Sequence, residues 1–161
     1  MRYNRGMSET SSQPASEADK SSRPFDLVLY GATGFTGGLV ADYLLRTMPE
    51  GGSWAVAGRN RTKLDAVVAR LAATDPGVPA PGVVIADTED PDTLAALARS
   101  ARVVITTVGP YLEYGEPLVA ACAEAGTDYV DLTGEPEFVD RMYLEYHDKA
   151  KASGARIVHA C

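Results

Sequence analysis

The sequence predicts an α/β protein built as a doubly wound parallel sheet of six strands. Three observations lead there. From Phe25 onward, short β-branched runs alternate with segments of helical period, as strands joined by crossover helices do. Six such strand runs occur, and right-handed crossovers then give the order 3-2-1-4-5-6. At the first strand-to-helix junction stand three glycines, Gly31, Gly34 and Gly37.

Each element follows from local pattern. FDLVLY (25–30) reads as a buried strand, and Leu39, Val40, Tyr43 and Leu44 then recur with helical period. SWAVAG (53–58) is the second strand, and TKLD (62–65) has capping-box form ahead of Leu64, Val67, Val68 and Leu71. VVIAD (83–87) is the third strand, with Asp90 as N-cap and Pro91 opening the helix after it. RVVITTVG is the fourth strand, GEPLVAACAEAG a helix closed by Gly126, and DYVDLTG the fifth strand. EPEFVDRMYLEYHDKAKASG is a long helix, and RIVHAC (156–161) the sixth strand. The loop TDPGVPAPG (74–82) carries only turn signals.

Composition narrows the function. The 161 residues, 45% hydrophobic, suffice for one domain with its own core. A net charge of -7 argues against nucleic acid or an anionic membrane as partner. The two cysteines, Cys122 and Cys161, have no metal spacing and form no disulfide framework, so no metal is expected and a reducing cytoplasm fits. Residues 1–24 are rich in Ser and Glu without apolar period and are expected to be a disordered tail, with Met7 an alternative start to Met1. The dinucleotide-binding domain is expected over 25–161.

The glycine stretch GATGFTG (31–37) carries the chemistry. Gly31 permits the tight turn, Gly34 lets backbone approach a pyrophosphate, and Gly37 lets the helix pack close to the strand. With Ala32, Thr33, Phe35 and Thr36 they form the candidate phosphate loop, because a helix N-terminus offers free N–H groups and partial positive charge. The end of the second strand reads AGRNRTK, with Arg59 and Asn60 where an acid would bond a ribose 2′-hydroxyl. A guanidinium suits a 2′-phosphate, so NADP(H) is the expected cofactor, a solvated arginine in a surface turn being the alternative. Asp87 is placed to approach the adenine edge, a turn role being the alternative.

On the nicotinamide side, Val108, Gly109 and Pro110 are candidates for a close-approach wall, or a simple turn. Tyr111 and Tyr114 offer phenols but loop aromatics pack more often than they catalyse. Glu135 is read as a helix-start carboxylate rather than a site acid. Cys122 is read as core, His147 as solvated and His159 as packed.

Together, GATGFTG, AGRN with its following helix, TTVGPY, the alanine-rich helix containing Ala121 and Cys122, and DYVDLTGE resemble the N-terminal domain of the saccharopine dehydrogenase-like oxidoreductases. Within that group the likeness is to the actinobacterial trans-acting enoyl reductases, over Phe25–Cys161. The resemblance implies an NADP-dependent reductase of enoyl intermediates in lipid or polyketide synthesis, with a polyketide synthase or acyl carrier as partner. The expected location is the cytoplasm, with the membrane periphery as the alternative. Relatives continue into a substrate domain beyond the sixth strand, so the isolated chain is expected to be inactive and to self-associate as a homo-oligomer. No catalytic residue is assigned.

Two rival readings stand beside this one. A short-chain dehydrogenase-like reductase relies on a Tyr-x-x-x-Lys pair, and Tyr146 to Lys149 is one residue too short. A stand-alone NADP-binding regulatory module or non-catalytic fragment needs no substrate domain.

Overall fold

The computed structural model describes residues 20–161. The choice between Met1 and Met7, and the expected tail as far as residue 19, lie outside those residues. The elements run β1 (Phe25–Tyr30), α1 (Phe35–Thr47), β2 (Trp54–Gly58), α2 (Arg61–Thr74), β3 (Gly82–Ile85), α3 (Pro91–Ser100) and β4 (Ala101–Thr106). They continue with α4 (Tyr111–Tyr114), α5 (Glu116–Ala125), β5 (Asp128–Asp131), α6 (Pro136–Ser153) and β6 (Ile157–Val158). All five pairings are parallel and the order is β3-β2-β1-β4-β5-β6, as expected. Every strand therefore ends at one edge, above which ligands of doubly wound sheets bind.

Alternating strand residues feed two cores, because successive side chains point to opposite faces. Leu29 and Val56 face Ala41, Leu44, Leu64 and Leu71 of α1 and α2. Val28, Tyr30 and Val104 face Leu94, Leu97, Leu118 and Phe138 on the other side, under α3, α5 and α6. Burial on both faces is why these strands read as apolar runs.

Strands β3, β5 and β6 are shorter than expected, β3 ending at Ile85 rather than at residue 87, β5 at Asp131, and β6 spanning only Ile157–Val158 of 156–161. Three further local expectations differ from the structure. The cap of α2 is Asn60, whose side chain accepts the Lys63 N–H at 3.0 Å, rather than Thr62, the second residue of the helix. The segment after Pro110 forms the one-turn helix α4, which a four-residue window does not reveal. Lys20 to Pro24, assigned to the tail, include side chains bound to the domain. Arg23 donates to the carbonyls of Ala101 and Ala125, each at 2.6 Å, and to Thr127 Oγ1 at 2.5 Å. Lys20 donates to Asp128 and to the Gly154 carbonyl, both at 3.0 Å. These cations meet carbonyls at the C-terminal ends of α3, α5 and α6, where they complement the helix dipoles.

The first helix is drawn against the first strand by missing side chains. A β-carbon on Gly37 would fall 2.1 Å from the Gly31 carbonyl oxygen and 2.9 Å from Ala32 Cα, both backbone. Gly31 itself has φ +94°, and a β-carbon there would meet Val108 and Thr107 within 2.8 Å. Gly38, one residue on, has nothing within 4 Å of its β-carbon position.

Adjacent glycines should thus respond with opposite sign. Gly38→Ala should raise the unfolding free energy by about 1 kcal/mol through helix propensity. Gly37→Ala should lower it by about 1–3 kcal/mol, since the backbone overlap outweighs the same gain. Denaturant melts of the two variants check both.

Acid sensitivity follows from two buried carboxylates. Burial alone would raise Asp128 and Asp131, but hydrogen bonds from Arg156 and Lys20 to the first, and from His159, Thr133 and Ala160 to the second, hold both below 3.8. A depressed folded pKa contributes stability above the unfolded value and loses it as pH falls from about 3.8 toward the folded values. Thermal melts between pH 5 and 2 should show that loss, and Asp128→Asn should flatten it while lowering stability at neutral pH.

Candidate functional site

Above the carboxyl end of β1 lies a cleft of about 320 Å³. Its floor is Tyr30 and the turn after β1, including Gly31 and Thr33; one flank is Gly58, Arg59 and Asp87 to Glu89, after β2 and β3. The other flank is Val108, Gly109 and Tyr114, after β4. Six expected site residues, Gly31, Thr33, Arg59, Asp87, Val108 and Gly109, thus share one space, whereas Ala32, Gly34 to Gly37, Asn60 and Pro110 do not line it.

The loop from Gly31 to Gly37 is shaped by hydrogen bonds that leave the helix terminus open. Gly31 N–H donates to the Ala57 carbonyl at 2.9 Å, Gly34 N–H to the Gly31 carbonyl at 3.0 Å, and Gly38 N–H to the Gly34 carbonyl at 2.9 Å. The intervening N–H groups of Phe35, Thr36 and Gly37 occupy the first turn, which has no intrahelical acceptors. Gly34 is the N-cap and supplies no side-chain bond, and no acid stands in the first turn of α1. Phe35 and Thr36 are exposed. A β-carbon on Gly34 would make only an ordinary 3.5 Å contact with the Gly31 oxygen, at an unstrained φ of -82°. The fold therefore does not itself require glycine at 34, whereas it does at 31 and 37. Space there is free for a ligand.

The remaining candidates divide. Arg59 is exposed, and its guanidinium makes no hydrogen bond or ion pair among the described residues. Asp87 lines the cleft, and its Oδ1 accepts the Glu89 N–H at 3.1 Å in a turn, the alternative role considered for it. Ala32 is buried in the core with Leu29 and Ala41 and opens little surface to the cleft. Asn60 spends its side-chain oxygen on capping α2. Pro110 precedes α4 as its N-cap.

The two tyrosines of the fourth loop have different fates. Tyr111 is buried, its phenol donating to the Thr106 carbonyl at 3.1 Å, and burial pushes its pKa up. Tyr114 lines the cleft. Glu135 is neither a simple helix-start charge nor free in the site: its carboxylate accepts the N–H groups of Tyr111 and Leu112 at 2.9 and 2.8 Å.

At the ends of β5 and β6, Asp131 is a side chain with 0% exposure that accepts from His159 Nδ1 at 2.7 Å and from the Tyr129 phenol at 2.9 Å. The His159 ring stands edge-on to Tyr129 and Phe138, as a packed histidine does. Cys122 is buried, and burial raises its thiol pKa, so it is inert core. His147 is exposed and lies against the Tyr143 ring.

Tyr146 lies on α6, bound to Glu116 at 3.0 Å, with its pKa pushed up to about 12 by burial and by that carboxylate. It is outside the cleft, which removes the Tyr-Lys chemistry of the short-chain rival. A second groove of about 310 Å³, mostly apolar, runs between α6 and β6 and includes none of the expected cofactor residues. Among the described residues no cluster of three or more His, Cys, Asp or Glu could hold a metal, and no helix is long and apolar enough to cross a membrane.

Comparison with known proteins gives the fold and the family. A Mycobacterium tuberculosis protein provisionally named a trans-acting enoyl reductase is 53% identical over 141 residues, covering 86% of this chain and 32% of its own length. The trans-acting enoyl reductase of Mycobacterium leprae is 49% identical over 139 residues, with the same two coverages. The chain spans about a third of the length of these relatives. Among solved structures, apo saccharopine dehydrogenase (L-Glu forming) of Saccharomyces cerevisiae superposes with a TM-score of 0.65 at 18% identity, over 83% of this chain and 26% of that one. The Citrobacter triphenylmethane reductase complexed with NADP(H) gives 0.58 at 18% identity, over 83% and 48%. These two share the fold. Residues 27–158 match the family model described as the saccharopine dehydrogenase NADP binding domain. With that match covering nearly the whole described chain, the protein belongs to the saccharopine dehydrogenase NADP-binding domain family, and its cofactor is NADP(H).

Proposed function

We propose that this domain holds NADPH along the carboxyl edge of the sheet and serves an enoyl-thioester reductase of the trans-acting type. The observation that carries the placement is the open first turn of α1, without side-chain cap or acid, which follows directly on the Gly31–Thr33 turn that lines the cleft with Arg59, a side chain unpaired among the described residues. The pyrophosphate is assigned to the N–H groups of Phe35 to Gly37 and the space left by Gly34. Arg59 is assigned to the 2′-phosphate, and Asp87 to the adenine edge. Val108, Gly109 and Pro110 form the wall of the nicotinamide half. Gly31 and Gly37 act by shaping the loop, as do Ala32 and Thr33; Asn60 fixes the start of α2 beside Arg59.

The reaction rests on the relatives' names. When bound, NADPH supplies a hydride, which suits reduction of an α,β-unsaturated thioester carried by a synthase or acyl carrier. The residues here bind and orient; Tyr111, buried with its phenol donating to the Thr106 carbonyl, is assigned no proton-donor role. A cytoplasmic setting, where such lipid precursors and NADPH meet, completes the reading.

Calorimetric titration tests the placement. The unmodified domain should bind NADPH more tightly than NADH, and Arg59→Ala should reduce that preference by about tenfold or more, a charge-assisted contact being worth ~1.5–3 kcal/mol. Gly34→Val should keep a native circular dichroism spectrum and lose binding of both. Equal affinity for the two cofactors, or tight binding by folded Gly34→Val, would contradict the assignment.

A further inference from the structure

The carboxylate of Glu135 begins one helix and caps another. It stands before α6, yet its two oxygens accept the first two N–H groups of α4, those of Tyr111 and Leu112, which no side chain of the preceding residue satisfies. Three further contacts hold the inner side of that turn. The Tyr111 phenol donates to the Thr106 carbonyl at 3.1 Å, and its ring centroid lies 5.7 Å from that of Phe138. A β-carbon on Gly115 would come within 2.6 Å of Phe138 Cζ, so α4 and α5 join in close contact with α6. So short a helix has no stability of its own and depends on such contacts.

What this framework presents outward is Tyr114. Its side chain is 43% exposed and lines the cleft, and its phenol makes no hydrogen bond among the described residues. Tyr114 follows β4 while Arg59 and Asp87 follow β2 and β3, and β1 lies between them in the sheet. The ring thus stands on the flank facing the arginine. Aromatic faces are suited to stack on a nucleobase or pack on a ribose.

We propose that Glu135 is a positioning residue of the cofactor cleft: it clamps α4 so that the Tyr114 ring, beyond the Val108–Pro110 turn assigned to the nicotinamide half, forms the wall facing Arg59, against which the adenosine half of NADP(H) packs. The inference rests on the cofactor placement proposed above and adds a residue that the glycine and arginine motifs do not include. Glu135 acts through Tyr114 and touches no cofactor itself.

The test titrates the unmodified chain, Tyr114→Phe, Tyr114→Ala, Glu135→Gln and the double variant with NADPH and with adenosine 2′,5′-bisphosphate, with thermal melts of each. Tyr114→Ala should weaken both ligands about tenfold, and Tyr114→Phe should stay within about twofold of the unmodified chain. Glu135→Gln should weaken binding several-fold when Tyr114 is present and add nothing when it is alanine. Unchanged binding by Tyr114→Ala, or a loss confined to NADPH, would overturn the wall. An equal loss from Glu135→Gln in both backgrounds would reduce Glu135 to a general structural role and overturn the clamp. Should Glu135→Gln fail to fold, the exposed Tyr114 pair still decides the wall. Failure of the unmodified chain to bind either ligand would instead refute the cofactor placement from which the inference starts.

Discussion

The approach of Gly37 to the Gly31 carbonyl is the constraint on which the site depends. Because no β-carbon intervenes in a gap where one would lie 2.1 Å from oxygen, α1 starts directly over the end of β1. That closeness aims the first-turn N–H groups at the edge where every strand ends, and it places them beside the loops after β2 and β4. The partial charge of a helix terminus falls off within one turn. A helix displaced outward by one side chain would leave the same groups facing water.

The two edges of the sheet are built in opposite ways. At the amino edge, Lys20, Arg23, Arg102 and Arg156 are matched by Asp26, Asp128 and backbone carbonyls. At the carboxyl edge the groups after β1 and β2 are left open among the described residues, Arg59 without a hydrogen-bond or ion-pair partner and α1 without a side-chain cap. Farther along that edge order returns, with Asp131 holding His159 and Ala160, and Glu135 holding α4. The unsatisfied groups thus stand together, between two flanks that are each fixed by hydrogen bonds, as preorganised binding requires.

What was legible in the sequence was local. The number and order of the strands, the αL cap at Gly126, the Asp90 cap and the tight turns at Gly31 and Gly37 each depend on a few consecutive residues and appear as expected, although β3, β5 and β6 end sooner than their apolar runs suggest. Thr62 and Asn60 stand two residues apart and both can cap; only the entry angle of the chain into α2 decides for Asn60. Residues joined across the fold were not legible. Arg23 meets carbonyls 78 and 102 residues away, and Glu135 caps backbone 23 and 24 residues before it. Tyr111 and Tyr114 were indistinguishable until α4 turned one into the core and the other into the cleft.

Amide chemical-shift mapping during NADPH titration tests the central claim most directly. The account predicts that the largest perturbations fall on the backbone amides from Gly34 to Gly37, with Arg59 shifting in the same titration and at the same affinity. Silent amides at Gly34 to Gly37, with perturbations gathered instead around the groove between α6 and β6, would contradict it.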